Sequence, residues 1–167
     1  MLISTLVIAL LNRNPMLSQI SQFKHPLLSF SFVSLQFSMI ALLLWILPKG
    51  LDWQILPFQI LAIFIGLWAV KTMRLGHFNI VPDPMPEINL VTTGPYQYIR
   101  HPMYLSILLF FFPWVILHTS ILSLTILGLL TLTLLFKLHY EESLLVERLA
   151  DYRLYQPRTK KLIPFLY

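Results

Sequence analysis

The sequence predicts an all-α integral membrane protein: about four transmembrane helices, the last two a short hairpin, plus a cytoplasmic C-terminal helix. Three observations carry this. Long runs lack any charged residue, hydrophobic residues make up 57% of the 167 while charged ones make up 11%, and the positive charges gather on one side of the runs. A soluble domain carries about 25% charged residues, so a chain with a mean hydropathy of +0.73 is solvated largely by lipid. The net charge of +5 then fits an anionic membrane surface, and no nucleic acid partner is expected. With no cysteine, disulfides, thiolate nucleophiles and cysteine metal sites are excluded.

The elements follow in order. Met1–Leu11 is apolar but too short to cross, and Asn12-Arg13-Asn14-Pro15 stops it. It lacks a basic leader and a small-residue cleavage site, so residues 1–26 are expected to form an N-terminal interfacial segment, with the remnant of a longer first span as the alternative, rather than a signal peptide. Leu27–Leu47 is uncharged over 21 residues, about 31 Å as a helix, enough to span a hydrocarbon core of about 30 Å. Pro48-Lys49-Gly50-Leu51-Asp52 breaks it, and Gln54–Val70 gives a second span, so residues 27–70 hold the first two. Pro57 falls near a helix start, where proline costs little.

From Pro102 to Phe136, 35 residues carry no lysine, arginine or carboxylate. One helix of that length would measure about 52 Å, so the run must fold back. Pro113 and His118-Thr119-Ser120 mark the expected bend. Residues 71–167 form the third part, which the resemblance given below implies to be the catalytic one. They hold the loop Met73–Thr93, whose prolines forbid a continuous helix, the segment Gly94–Tyr104, and the transmembrane hairpin. A tail helix over roughly Lys137–Tyr155 follows, with Leu138, Leu145, Leu149 and Tyr152 on one face.

Arg13, Lys24, Lys71, Arg74, Arg100, Lys137, Arg148, Arg153, Arg158, Lys160 and Lys161 all fall on one side of the four spans, and only Lys49 falls on the other. Basic residues mark the cytoplasmic side, so both termini are expected there.

The segment Gly94-Pro95-Tyr96-Gln97-Tyr98-Ile99-Arg100-His101-Pro102-Met103-Tyr104 concentrates polar chemistry at a membrane surface. Gly94-Pro95 signals a turn, and Pro102 suits the first helical position. Arg100 and His101 are thereby placed at a helix N-terminus, where backbone N–H groups favour anions. Taken singly, the residues have plainer readings. Arg100 fits an interfacial anchor and the tyrosines an aromatic belt. Glu141 and Glu142 fit a solvated face, with Lys137 pairing Glu141 at four-residue spacing. Lys160-Lys161 fits lipid headgroup contact. His25, His77 and His118 are too scattered for a metal, and the His139–Glu142 pair lacks a second pair, so no metal site is expected.

Together, Gly94-Pro95-Tyr96, Arg100-His101-Pro102-Met103-Tyr104, Glu141-Glu142, Tyr152 with Tyr155, and Ile163-Pro164 resemble a known signature in order and spacing. It is that of the integral-membrane methyltransferases related to isoprenylcysteine carboxyl methyltransferase and the phospholipid methyltransferases. The resemblance runs from Leu90 to Pro164. It implies S-adenosylmethionine as cofactor, bound between cytoplasmic helix ends under the tail, and a lipophilic acceptor, carboxylate or amine, entering from the bilayer. It implies Tyr96, Tyr98, His101, Pro102, Tyr104 and Glu142 around the cofactor, with Arg100 and Glu141 as catalytic residues positioning the acceptor and the reacting ends. The chemistry agrees: aromatic faces such as Tyr98 and Tyr104 suit a sulfonium, and a carboxylate suits an ammonium or ribose hydroxyls.

Two positions depart from the family pattern. Ser106 stands where glycine is usual, so a slightly wider approach of the third span is expected. Leu149-Ala150 replaces the common Phe-Gly with one residue fewer before Tyr152, which turns the tail tyrosines around their helix. Two other functions stay in view. Membrane reductases of the sterol type carry a somewhat similar Arg-His-Pro-x-Tyr segment and use NADPH, but are typically longer. A non-catalytic scaffold or small transporter is disfavoured by the absence of charge inside the spans.

Overall fold

The computed structural model describes residues 24–50, 52–74, 89–164 and 166. The expected interfacial helix at Met1–Leu11 and most of the loop Met73–Thr93 lie outside the described residues. The fold is all-α: α1 (Pro26–Ile46), α2 (Leu56–Arg74), α3 (Pro102–Leu117), α4 (Ile121–Arg148) and the single turn α5 (Tyr152–Tyr155). Short 3₁₀ turns occupy Gly94–Gln97 and Gln156–Arg158. Among the described residues there is no strand, only an isolated parallel bridge between Ile99 and Lys160. Helices α1, α2 and α4 are long and apolar enough to cross a membrane, and α3 is a shorter apolar helix.

Helix α2 packs chiefly on α3 and α1 on α4, while α3 against α4 joins the two pairs. The buried face of α1 is its more polar one: Ser29, Gln36, Met39 and Leu43 point inward, while Leu27, Phe30, Leu35 and Phe37 point out. Lipid tails are as apolar as leucine, so small and polar side chains mark the inward stripe. Helix α2 follows the same rule, burying Ala62 and Ala69. Between them, a Cβ added at Gly66 would lie 3.1 Å from Ser106 Oγ. The Ser106 hydroxyl folds back to donate to the Met103 carbonyl at 2.7 Å. The close approach expected to loosen at Ser106 is therefore kept by a glycine on the opposing helix.

The hairpin turns at His118–Ser120, not at Pro113, which stays inside α3. Ser120 caps α4 reciprocally with Ser123, satisfying two donors at the helix start. At this end His118 Nε2 lies 3.2 Å from Asp52 Oδ2, and Lys49 Nζ lies 5.8 Å from the Trp45 ring centroid. A core of Met39, Leu43, Phe111, Val115, Leu130 and Leu134 packs between α1, α3 and α4.

The separate tail helix expected over Lys137–Tyr155 is instead the continuation of α4, unbroken for 28 residues to Arg148. No proline or glycine follows Gly128 to interrupt it. At about 42 Å the helix outruns a hydrocarbon core. Its buried residues, Ser123, Ile126, Leu130, Leu134, Lys137, Leu138 and Glu142, form one stripe at three- and four-residue steps. Lys137 therefore lies within the helix and 2% exposed, where the charge pattern had placed it just past the span. Lys24 Nζ bonds Glu147 at 2.7 Å, so the start of α1 and the end of α4 share the end opposite Lys49.

Candidate functional site

The site is built where the end of α2, the start of α3 and the upper half of α4 meet under the tail. Gly94 begins it, with φ +60, a left-handed conformation that favours glycine. A Cβ there would also fall 2.6 Å from Thr72 Oγ1. The turn thus presses directly on α2, burying Pro95 and Tyr96. Tyr155 donates its hydroxyl to the Tyr96 carbonyl.

The chain then pairs with the tail. Arg100 N–H donates to the Lys160 carbonyl at 2.8 Å, His101 N–H to Lys161 at 3.0 Å, and Lys160 N–H to Tyr98 at 3.1 Å. The Arg100 and His101 N–H groups, expected to favour an anion, are taken by tail carbonyls. Pro102 opens α3 as expected, with His101 at the N-cap position and its imidazole making no cap bond.

That imidazole faces α4. His101 Nε2 lies 3.3 Å from Glu142 Oε1, and Nδ1 lies 3.7 Å from Glu141 Oε2. Arg100 Nε donates to the same Glu142 oxygen at 2.5 Å. Its Nη1 donates to the carbonyls of Gln156 at 2.9 Å and Thr159 at 2.6 Å. Both side chains of this ion pair are at least nine-tenths buried. Arg100 thereby ties three parts of the chain together, a use its planar fork suits. Tyr104 stacks on His101 with ring centroids 5.2 Å apart and donates to Glu141 Oε2 at 2.7 Å. Lys137 Nζ lies 5.3 Å from the Tyr104 ring centroid and donates to Gln36 Oε1 at 2.9 Å.

Two hollows meet at this cluster. The larger, about 180 Å³, opens toward the spans and is lined by Gln36, Phe37, Met73, Tyr96, Arg100, His101, Pro102, Met103, Tyr104, Ile107, Lys137 and Glu141. The smaller, about 60 Å³, lies under the tail, against Asn89, Leu145, Tyr152 and Tyr155. Tyr96, Arg100, His101 and Glu141 border both.

Of the residues singled out in the sequence, Tyr96, Arg100, His101, Pro102, Tyr104 and Glu141 thus share one cavity wall. Glu142 stands behind it, holding Arg100 and His101. Tyr98 is set apart: it is 56% exposed and borders a surface hollow with Pro157 and Lys160, because the turn buries its neighbours Tyr96 and Ile99 instead. Gln36 is not singled out in the sequence, and Lys137 reads there only as a basic residue past the span and a partner of Glu141, although Gln36 interrupts one apolar run and Lys137 ends another. Tyr152, which the signature contains but to which no role is given, joins them. Its buried hydroxyl has no hydrogen-bond partner among the described residues and borders the smaller hollow.

Burial raises all three phenols near the tail. Tyr96 is pushed up by burial first and by Glu141 second, and Tyr152 by burial first and Glu142 second. Burial pushes Tyr155 up to about 12, against the lowering effect of the Thr159 hydrogen bond and Arg100. At neutral pH these groups are donors and not bases.

The family model described as phospholipid methyltransferase matches residues 55–151, more than half the chain. The match begins at the foot of α2 and ends just beyond α4, taking in the whole Arg100–Glu142 cluster. No curated protein matches the chain.

Proposed function

Because the chain belongs to the phospholipid methyltransferase family and is a membrane methyltransferase, we propose that it moves the methyl group of S-adenosylmethionine to a lipophilic carboxylate or amine at the cytoplasmic face. The observation that carries this reading is the pair of hollows meeting at His101 and Glu141, one under the tail and one open toward the spans. Two reactants can approach one point from different phases there. No feature of the site favours a reductase or a scaffold over the family's own chemistry.

The donor set fits the cofactor. Glu141 suits the ammonium or ribose hydroxyls, the unpartnered Tyr152 hydroxyl offers a further polar contact under the tail, and the stacked Tyr104 and His101 rings suit a cation. The hollow under the tail, at about 60 Å³, is smaller than the roughly 300 Å³ of an ordinary small-molecule site. A cofactor there extends into the adjoining hollow, which shares Tyr96, Arg100, His101 and Glu141.

The bound cofactor supplies an electrophilic methyl on a sulfonium. The protein's own part is to bind, orient and keep water out, which can supply about 7–11 kcal/mol of a barrier. Glu142 holds the His101 ring and Arg100. Glu141 holds the Tyr104 hydroxyl and faces both hollows. For an amine acceptor, Glu141 is the group that would take the ammonium proton; a carboxylate acceptor needs no base. Membrane anchorage by α1, α2 and the α3–α4 hairpin brings a lipid to the cavity from the side.

The test is calorimetric titration of the purified protein in detergent with S-adenosylmethionine, followed by transfer of a radioactive methyl into extracted lipid. Wild type is expected to bind and transfer, and Arg100→Ala and Glu142→Ala to lose transfer while still being produced. Retained turnover in both variants would overturn the assignment of the site to these residues, and binding of NADPH in place of S-adenosylmethionine would overturn the reading itself.

A further inference from the structure

Lys137 is the cavity feature that methyl transfer itself does not require. It is 2% exposed on α4, and a lysine inside a span costs up to about 2.5–3.5 kcal/mol at the bilayer centre. Gln36, the partner 2.9 Å away on α1, is also buried. Their mutual hydrogen bond offsets part of the cost of burying them, and it leaves both at a cavity wall rather than against lipid. Both line the membrane side of the cavity, and so does Ile107. Ile107 also borders an apolar groove of about 330 Å³, formed by α1, α2 and α3 over Ala62, Gly66 and Ser106. The exposed Ile63 and Leu67 edge that groove on the lipid side. Ile107 thus borders both the lipid-edged groove and the cavity that holds an ammonium and a carboxamide. Glu141, which lines the same cavity, has its Oε2 engaged by the Tyr104 hydroxyl at 2.7 Å.

We propose that Lys137 and Gln36 form a headgroup subsite that selects an acceptor bearing an anionic group, carboxylate or phosphate, while its hydrocarbon chain lies in the groove beyond Ile107. Lys137 is a specificity-determining residue here, acting through charge-assisted hydrogen bonds that a lipid-buried neutral headgroup cannot match. This rests on the methyltransferase reading above, and it assigns to the acceptor side two residues that the signature motif does not contain.

The test titrates the whole protein in neutral maltoside micelles with dodecyl phosphate, dodecanoate and dodecyltrimethylammonium, with S-adenosylmethionine binding measured separately. Wild type is expected to bind one or both anions at least about tenfold more tightly than the cation, the worth of one hydrogen bond to a charged group. Preference for the phosphate identifies a phospholipid-like acceptor, and preference for the carboxylate a lipid acid. Lys137→Gln, which can still bond Gln36, should abolish the preference, and Lys137→Arg should retain it, with S-adenosylmethionine binding unchanged in each. Equal binding of cation and anions by wild type overturns the subsite without needing any variant, as does a preference that survives in Lys137→Gln. If Lys137→Gln does not fold, loss of the preference in a folded Lys137→Arg overturns it. Anion preference without any S-adenosylmethionine binding would sink the methyl-donor reading and leave the subsite standing.

Discussion

Arg100 and Glu142 illustrate how a single pair can set a site. Removing either partner strands the other as a buried charge, at a cost of about 3–5 kcal/mol; loss of Glu142 also releases His101, and loss of Arg100 also releases two tail carbonyls. The tyrosines give a pH signature of the same packing. Tyr155 holds its proton to about 12 in the folded chain, against 10.0 for an ordinary tyrosine. The stability it contributes is therefore full below pH 10 and is lost as pH rises toward 12. Thermal unfolding in detergent should show stability falling above pH 10, with a shallower fall in Tyr155→Phe; identical slopes would contradict the assigned burial. At this scale the sequence was legible wherever a motif fixed both residue and spacing, as at Arg100, His101, Glu141 and Glu142. It could not distinguish Tyr96 from Tyr98, because a 3₁₀ turn, not the spacing alone, decides which ring is buried. Nor could it show Gln36 meeting Lys137, a contact between residues 101 positions apart.

Among the elements, α4 carries most of the consequence. Continuing without a break to Arg148, it fixes the glutamates rigidly to the membrane-crossing stripe. One alanine inserted between Leu138 and His139 would turn both glutamates by about 100° and leave Lys137 and the spans in place. Methyl transfer should fall below detection while the protein still reaches the membrane; transfer at more than a tenth of the wild-type rate would show that the rigid link is unnecessary. The sequence placed the spans well, α1 to within a residue at each end, because uncharged length is nearly all that a span requires. Of its two marks for the hairpin bend, His118-Thr119-Ser120 is where the chain turns, while Pro113 stays in a helix interior, which a bundle tolerates. The inward faces were not legible either, since on α1 and α2 the usual hydrophobic cue is absent and serine, glutamine, alanine and glycine mark the interior.

For the whole molecule, the arrangement places Lys24, Arg100, Lys137 and the tail at one end, with Lys49 and Asp52 at the other. A cytoplasmic site follows from the positive-inside rule as a proposal that the chain's lack of cysteine makes easy to examine. Cysteine introduced for Lys49 should react with an impermeant maleimide applied from outside intact cells, and cysteine introduced for Lys160 only after permeabilisation. The reverse pattern would put the site on the wrong face. The central claim is that one nucleoside cofactor is gripped between the Tyr96–Tyr104 segment and the stretch from Glu141 to Tyr155. Its most direct test is photolabelling with radioactive S-adenosylmethionine, followed by mapping of the labelled peptides. Label on peptides from those two stretches, displaced by unlabelled cofactor, is the result expected. Specific label confined to the Lys49–Asp52 end, or no displaceable label at all, would contradict the account.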